Sequence, residues 1–575
     1  MLWRAADGTA RGWLALALAG ASLGAAAATV GPLALAQLVD ALAGPDRAAA
    51  AGRLVAVYVA ALVAQRLLEQ AQAYAYGRGE NRLARRLGVQ AFEHMLRLPM
   101  AAHLQARSGA LAQTLADGAF GVRLILFHLV MSLAPVVLQL GVAGLLVAGL
   151  VDPRLAAVLV GALLAYACAF GAGVARQHGP ARAMSAAQID AGGLTADGLM
   201  NVEAIKTFVA ERRFAARYDG ALATREREAR RFLAARLANG ALVAALFGAT
   251  LGATLLFAAD GVARGAVTLG AFVLVHGYVL QLIRPLETLG FAARDIGQGL
   301  AQLERLLGVM AEPGEPGPAG PDAVAEARPA ALAFEGVSFG YAADRSALVD
   351  VSFRVAPGAI VAIVGPSGAG KSSLLRLALR LHEPQAGRIR LDGRPIGELP
   401  LTALRAQVAV VSQDTILFND SIAENIGLAA AGATRAEIEA AARAASLAGL
   451  VDALPHGLGT PVGERGLKLS GGERQRIAIA RAALKRARLV LFDEATAALD
   501  PETERAVWDA LRGLSRGATT LVVTHRLATA ARADRILVLS EGRIVERGRH
   551  ADLLRADGAY ARLWRAQAAA ADAPG

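Results

Sequence analysis

The chain has 575 residues, 55% of them hydrophobic, with a formal charge of +11 and one cysteine. That length exceeds one ordinary domain, the apolar share is above the soluble norm, and a single cysteine excludes an intrachain disulfide. The basic residues are mostly scattered arginines with acids between them, which fits positive cytoplasmic loops of a membrane protein and no nucleic-acid partner.

Six apolar segments lie in the first half, at residues 13–43, 54–76, 124–150, 155–175, 237–260 and 266–284. Each is long enough to cross a hydrocarbon core of ~30 Å. The first is too long for a signal peptide and is followed by further spans, so it reads as a retained helix. Cys168 sits in the fourth span and is expected as a packing residue. Short turns join spans 1–2, 3–4 and 5–6, whereas spans 2–3 and 4–5 are separated by long, charged, helix-patterned connectors. These connectors carry Arg82, Arg85, Arg86, Arg212, Arg213, Arg230 and Arg231. The positive-inside rule puts them in the cytoplasm with both termini. A continuous helix from Leu54 to Leu98 would run about 65–70 Å, beyond the bilayer and toward a cytosolic partner domain.

Several polar residues interrupt the spans: Gln65, Arg66, Glu69, Gln70, His128, Gln139, His276, Gln281, Arg284 and Glu287. Charge inside a bilayer is costly, so such residues either line a wet cavity or pair with one another. The stretch "EPGEPGPAGPDAVAEARPA", Glu312 to Ala330, is a Pro/Gly-rich acidic linker without periodicity. The expected organisation is an all-α six-helix transmembrane domain at 1–310, a linker at 311–330, and an α/β domain at 331–575.

The second half carries the chemistry. "IVAIVGPSGAGKSSLLRLAL" reads as strand, glycine-rich turn and helix, and Gly365-Pro366-Ser367-Gly368-Ala369-Gly370-Lys371-Ser372, followed by Ser373, fits a P-loop. Its glycines let the backbone wrap phosphates, Lys371 reaches the β/γ oxygens of ATP, and Ser372 can ligate Mg²⁺. A second apolar strand ends in Asp493-Glu494. Asp493 is placed to hold the metal through water, and Glu494 to polarise the attacking water. "TTLVVTHRL" delivers His525 to the same edge, toward the γ-phosphate. Gln413, after "QVAVVSQ", is a fourth member touching metal or water. Tyr341 either stacks on adenine or is an ordinary core or surface tyrosine. "LKLSGGERQRIAIARA", 467 to 482, has the look of a second anion site at a helix N-terminus.

Taken together, residues 331–575 resemble the nucleotide-binding domain of an ATP-binding-cassette (ABC) transporter. The motifs are the P-loop, Gln413, "LSGGE" at 469–473, "LVLFDE", the "ALD" loop ending at Asp500, and His525, with "GERG" at 463–466 as in the exporters. Six spans fused ahead of one such domain resemble an ABC half-exporter, so the resemblance covers essentially the whole chain. It implies ATP and Mg²⁺ as ligands, an ATPase coupled to transport, and a dimer. Ser470, Gly471, Gly472 and Glu473 would close over the ATP held by the partner's P-loop. Glu494 and "LSGGE" are both intact, so a homodimer with two competent sites suffices.

Some stretches resemble one subgroup, the mitochondrial and bacterial heavy-metal-tolerance exporters: "LMNVEAIKTFVAERRFAARYD" at 199–219, "RSGALAQTLADGAFGVRLILFHLV" at 107–130, "SQDTILFNDSIAENI" at 412–426, and "QLIRPLETLGFAARDIGQGLAQLERL" at 281–306. That resemblance implies glutathione conjugates or glutathione-bound metal or sulfur compounds as the small-molecule cargo. It also implies a cavity lined by Glu287, Thr288, Gly290, Phe291 and Arg294, with Arg294 suited to a carboxylate. One departure stands: the subgroup often has an Asn-x-Gly-Gln run early in the fifth span, where this chain reads Leu237-Ala238-Asn239-Gly240-Ala241. A multidrug or lipid exporter is the alternative. The Ala/Arg-rich composition and the lack of a transit peptide fit a bacterial inner membrane.

Overall fold

The computed structural model describes residues 7–43, 47–105, 110–139, 141–142, 153–315, 328–342, 345–494, 508–509, 512–513, 515 and 517–571. Within some helices the backbone alone is described, as at 281–291 and 293–294. The chain divides into two compact units, one of 1–97 with 106–312 and one of 98–105 with 313–575.

The first unit is helical. Its elements are α1 (Gly8–Ala43), α2 (Arg47–Leu96), α4 (Ala110–Phe127), α5 (Pro153–Met200), α6 (Val202–Thr207), α7 (Glu211–Ala263) and α8 (Leu269–Ala311), while the short α3 (Met100–Gln105) belongs to the second unit. Helix α2 runs unbroken for 50 residues, which is about 75 Å. That fits the expected long helix, because its sequence holds no proline and the apolar span passes directly into an Arg/Glu-rich stretch that helix tolerates well. Among the described residues four helices are long and apolar enough to cross a membrane, with Leu269–Leu280 a shorter apolar stretch. Helix α5 contains the whole of the expected fourth span, 155–175.

Helix α1 packs along α2, α4 along α8, and α5 along α7. The α4–α8 crossing is made by two glycines. A Cβ on Gly121 would lie 2.6 Å from the Gly299 carbonyl oxygen, and one on Gly299 would lie 2.7 Å from that of Gly121. Small residues are what allow backbones to approach this closely in lipid. Just beyond the crossing, a π-helical turn at His128–Leu133 follows α4. It carries His128, which is buried. Its Nε2 is 3.0 Å from Asp295 Oδ2 on α8. At the other end of α8, Asp40 of α1 accepts from the Gly270 N–H at 2.7 Å and from Thr268 Oγ at 2.9 Å. An acid from another helix thus satisfies first-turn donors of α8, one of the needs that helix N-termini leave open.

The polar residues within the spans sort by partner. Gln65 and Arg66 both donate to Glu69 on their own helix, whereas His128 pairs across helices. The side chains of Gln281, Arg284 and Glu287 lie outside the described residues. Cys168 is exposed in the chain, which corrects the expectation of a packing cysteine. Helix α5 turns Tyr166 and Ala169 inward instead, and in a bilayer an outward apolar face needs no protein cover.

The second unit holds two sheets. One is antiparallel, in the order β2-β1-β4-β5, from β1 (Leu332–Ala342), β2 (Arg345–Val355), β4 (Ala386–Leu391) and β5 (Arg394–Pro395). The other runs β10-β9-β3-β8-β7-β6. Its strands are β3 (Ile360–Val364), β6 (Val408–Val411), β7 (Leu489–Asp493), β8 (Thr519–Val523), β9 (Arg535–Ser540) and β10 (Arg543–Gly548). All pairs in it are parallel except β10 on β9. The central strands are mostly apolar and buried at every position except Ile360 and Asp493, which are half-buried, the pattern of a sheet covered on both faces. One face carries α9 (Lys371–Ala378) and the antiparallel sheet, through Leu374, Leu377, Phe334 and Leu348. The other carries α10 (Ile422–Gly427), α11 (Arg435–Ala444) and α12 (Gly471–Lys485), through Ile422, Ile426, Ile477 and Phe492.

Candidate functional site

In a parallel sheet every strand delivers its carboxyl end to the same edge, and ligands bind there. The P-loop follows β3, Gln413 follows β6, Asp493 ends β7, and His525 lies just past β8. Four segments far apart in sequence thus meet at one edge.

The P-loop opens onto the N-terminus of α9. Gly370 sits at φ +98°, and a Cβ there would lie 2.4 Å from the Ala347 carbonyl oxygen, so only glycine fits. Lys371 is 6% exposed. Its Nζ donates to the carbonyls of Gly365 and Pro366, both at 2.9 Å, and lies 3.9 Å from Glu494 Oε1. Burial lowers the Lys371 pKa, opposed by the charges of Glu494 and Asp493. A buried ammonium within reach of two carboxylates is well placed to accept phosphate oxygens as further partners.

Ser372 Oγ donates to Asp493 Oδ1 at 2.9 Å. Burial raises the Asp493 pKa, and the Ser372 hydrogen bond works against that rise. A hydroxyl and a carboxylate side by side form an all-oxygen donor set that suits Mg²⁺, which takes one or two protein oxygens and draws the rest from phosphates and water.

Glu494 follows Asp493 in an unusual conformation. Its φ is +47°, and its N–H donates to the Val523 carbonyl at 2.9 Å. A left-handed glutamate is uncommon and costs on the order of 1 kcal/mol or more. Here it sets the carboxylate between Lys371 and the imidazole of His525, whose Nδ1 is 3.4 Å from Glu494 Oε2. Lys371, Ser372, Asp493, Glu494 and His525 therefore form one connected group. Gln413 is exposed at the same sheet edge.

Tyr341, near the end of β1, is 51% exposed. Its hydroxyl lies 3.2 Å from Ser373 Oγ and accepts from Arg376 at 3.1 Å. The ring meets Phe339 and His382 edge-on and has the Arg376 guanidinium over it, 5.9 Å from its centroid.

The "LSGGE" segment starts α12. Ser470 Oγ accepts from the Glu473 N–H at 3.3 Å, and Glu473 Oε2 accepts from the Ser470 N–H at 2.7 Å. This is a capping box. It gives Glu473 a local structural task, and leaves the Ser470 O–H free to donate outward. A Cβ on Gly471 would meet nothing within 4 Å, so this helix start presents bare backbone. Asp500 lies outside the described residues, as do the side chains of Glu287, Thr288, Gly290, Phe291 and Arg294, whose backbone belongs to α8. Asn239, at the departure in the fifth span, packs against Gly173 of α5, where a Cβ would lie 2.2 Å from its Oδ1.

Comparison with known proteins follows the same division. The ABC transporter family matches residues 348–497, and the ABC transporter transmembrane region matches residues 14–286. An ATM1-type heavy metal exporter from Novosphingobium aromaticivorans is 39% identical over 494 residues, covering 84% of this chain and 80% of that protein. A mitochondrial iron-sulfur clusters transporter ATM1 from Gibberella zeae is 35% identical over 523 residues, covering 90% and 74%. A solved structure of a bacterial Atm1-family ABC exporter with ATP bound superposes with a TM-score of 0.88 at 35% identity, covering 98% of this chain and 99% of that one. The chain is thus a multi-pass membrane protein with an ATP-hydrolysing domain, and it belongs to the ABC transporters, as a half-transporter of the Atm1 exporter type.

Proposed function

We propose that the protein is a homodimeric exporter of the bacterial inner membrane, with both termini cytoplasmic, that moves glutathione conjugates or glutathione-bound metal or sulfur compounds. The observation that carries the ATP-driven part is the connected group Lys371, Ser372, Asp493, Glu494 and His525 at one sheet edge. The cargo rests on the resemblance of residues 281–306 to the heavy-metal-tolerance exporters. The cargoes after which its relatives are named, heavy metals and iron-sulfur clusters, belong to the same chemistry.

In this reading Gly365 to Ser373 wrap the phosphates of ATP, Lys371 leaves the loop carbonyls for the β/γ oxygens, and Tyr341 stacks on the adenine. Bound Mg²⁺, held by Ser372 and by Asp493 and Gln413 through water, would neutralise charge on the β- and γ-phosphates. Glu494 orients and polarises the attacking water, and His525 holds the γ-phosphate. Ser470, Gly471, Gly472 and Glu473 face the nucleotide of the other subunit, with Asp500 near the same interface. The α12 dipole and free N–H groups then favour that phosphate across the subunit boundary. Closure around two ATP molecules drives the long helices toward an outward-open cavity, and hydrolysis resets it.

The test is ATPase stimulation by oxidised glutathione, repeated with Arg294→Ala, together with uphill uptake into ATP-supplied inside-out vesicles. The reading predicts stimulation and accumulation by the parent and loss of both in the variant. Failure of every glutathione species to stimulate would move the cargo to amphipathic drugs or lipids.

A further inference from the structure

The C-terminal helix α13 (Ala559–Ala571) ends the second unit against the bend that carries His525. It is firmly seated. Tyr560 is fully buried, its hydroxyl is 2.8 Å from His550 Nδ1, and Glu546 accepts from the N–H groups of Ala559 and Tyr560. Leu563 and Trp564 pack on a cluster with Leu527, Ala530 and Val538. Two turns after Tyr560, Gln567 reaches the backbone on both sides of Arg526. Its Nε2 donates to the His525 carbonyl at 3.0 Å, and its Oε1 accepts from the Leu527 N–H at 2.7 Å. One side-chain amide thus closes the bend the way a paired strand would.

We infer that Gln567 is a positioning residue for His525, fixing the bend so that the imidazole stays beside Glu494 and aimed at the γ-phosphate. The amide touches no nucleotide; it acts through the His525 backbone. The His525 side chain is 45% exposed, so little packing of its own holds the ring, and the backbone clamp takes that task. The consequence is a mechanical link: moving or removing the C-terminal helix loosens γ-phosphate sensing without touching the P-loop. This inference rests on the reading of His525 given above.

The test uses the full-length transporter in lipid nanodiscs, with binding of a non-hydrolysable ATP analogue compared with ADP. Gln567 is exposed, so Gln567→Met keeps its shape and removes both hydrogen bonds without opening the core. We expect its affinity for the analogue to fall about threefold to tenfold, with ADP affinity and melting temperature unchanged. Gln567→Glu keeps the acceptor and loses the donor, and should fall between the two. Combining Gln567→Met with His525→Ala should give no loss beyond that of His525→Ala. Equal losses for the analogue and ADP, or no loss for either, would overturn the inference. If His525→Ala itself spares the analogue, the reading of His525 fails and the positioning role fails with it. If His525→Ala loses analogue affinity selectively and Gln567→Met does not, the positioning role alone is wrong.

Discussion

Ser372 Oγ donates to Asp493 Oδ1 over 2.9 Å, so the residue after the P-loop lysine and the last residue of β7 are joined directly. Burial holds the Asp493 pKa above its ordinary value of 3.8. As pH falls, Asp493 takes up its proton earlier than an exposed aspartate would, and the metal site is lost with it. The activating effect of Mg²⁺ on ATPase should therefore weaken on acidification at a higher pH than an exposed aspartate would dictate. The sign for stability is the reverse: a carboxyl with a raised pKa stabilises the fold while protonated and loses that contribution as pH rises through its folded value. At neutral pH Asp493→Asn should melt no lower than the parent while its Mg²⁺-dependent ATPase collapses. A clear drop in melting temperature without loss of Mg²⁺ dependence would contradict this.

Lys371 is held by two loop carbonyls and should exchange them for phosphate oxygens. Lys371→Ala is expected to weaken ATP binding by about tenfold or more, the scale of one or two charge-assisted hydrogen bonds. Lys371→Arg should not rescue it, because a planar guanidinium does not fit a slot shaped for a compact ammonium. Equilibrium nucleotide binding checks both variants.

The Gly121–Gly299 contact leaves no room for a methyl group on either side. Gly121→Ala should force α4 and α8 apart at a cost of about 1–3 kcal/mol. Because the two sites touch, Gly121→Ala combined with Gly299→Ala should cost less than the sum of the single changes. Thermal unfolding in detergent, with transport measured in parallel, reads the effect; a parent-like melting temperature in Gly121→Ala would refute the tight crossing.

Asp40 caps the first turn of α8 from α1. Removing the acceptor with Asp40→Ala should cost about 0.5–2 kcal/mol, and Asp40→Asn should retain most of it, since the amide oxygen still accepts. Amide exchange at Gly270 would rise in the alanine variant and stay low in the asparagine one.

The parts of this protein that were legible in the sequence are those whose chemistry is local. The P-loop announces itself through glycine, lysine and serine at fixed spacing after an apolar strand. Asp493, Glu494 and His525 are marked by the apolar strands that deliver them. The long α2 follows from an uninterrupted helix-forming stretch. What sequence could not reveal are contacts between distant residues and backbone angles that no composition encodes. Gln567 meets the His525 carbonyl across 42 positions, Asp40 reaches Gly270 across 230, and His128 meets Asp295 across 167. The left-handed conformation of Glu494 carries no sequence mark, because glutamate has no preference for it. The exposure of Cys168 carries no sequence mark for a related reason: burial in a membrane helix depends on which face meets protein, and apolar composition is the same on both.

In the proposed dimer each ATP lies between the P-loop of one subunit and the Ser470 segment of the other. Paired subunits carrying two different affinity tags test it directly, using Lys371→Ala and Ser470→Arg placed either in the same subunit or in opposite ones. With both changes in one subunit and a parent partner, each composite site has one damaged half, and ATPase activity should vanish. With the changes in opposite subunits, one composite site takes both defects and the other is intact, so a measurable part of the activity should survive. Survival in the first arrangement together with loss in the second would mean that each subunit binds and hydrolyses ATP alone, and would contradict the composite site.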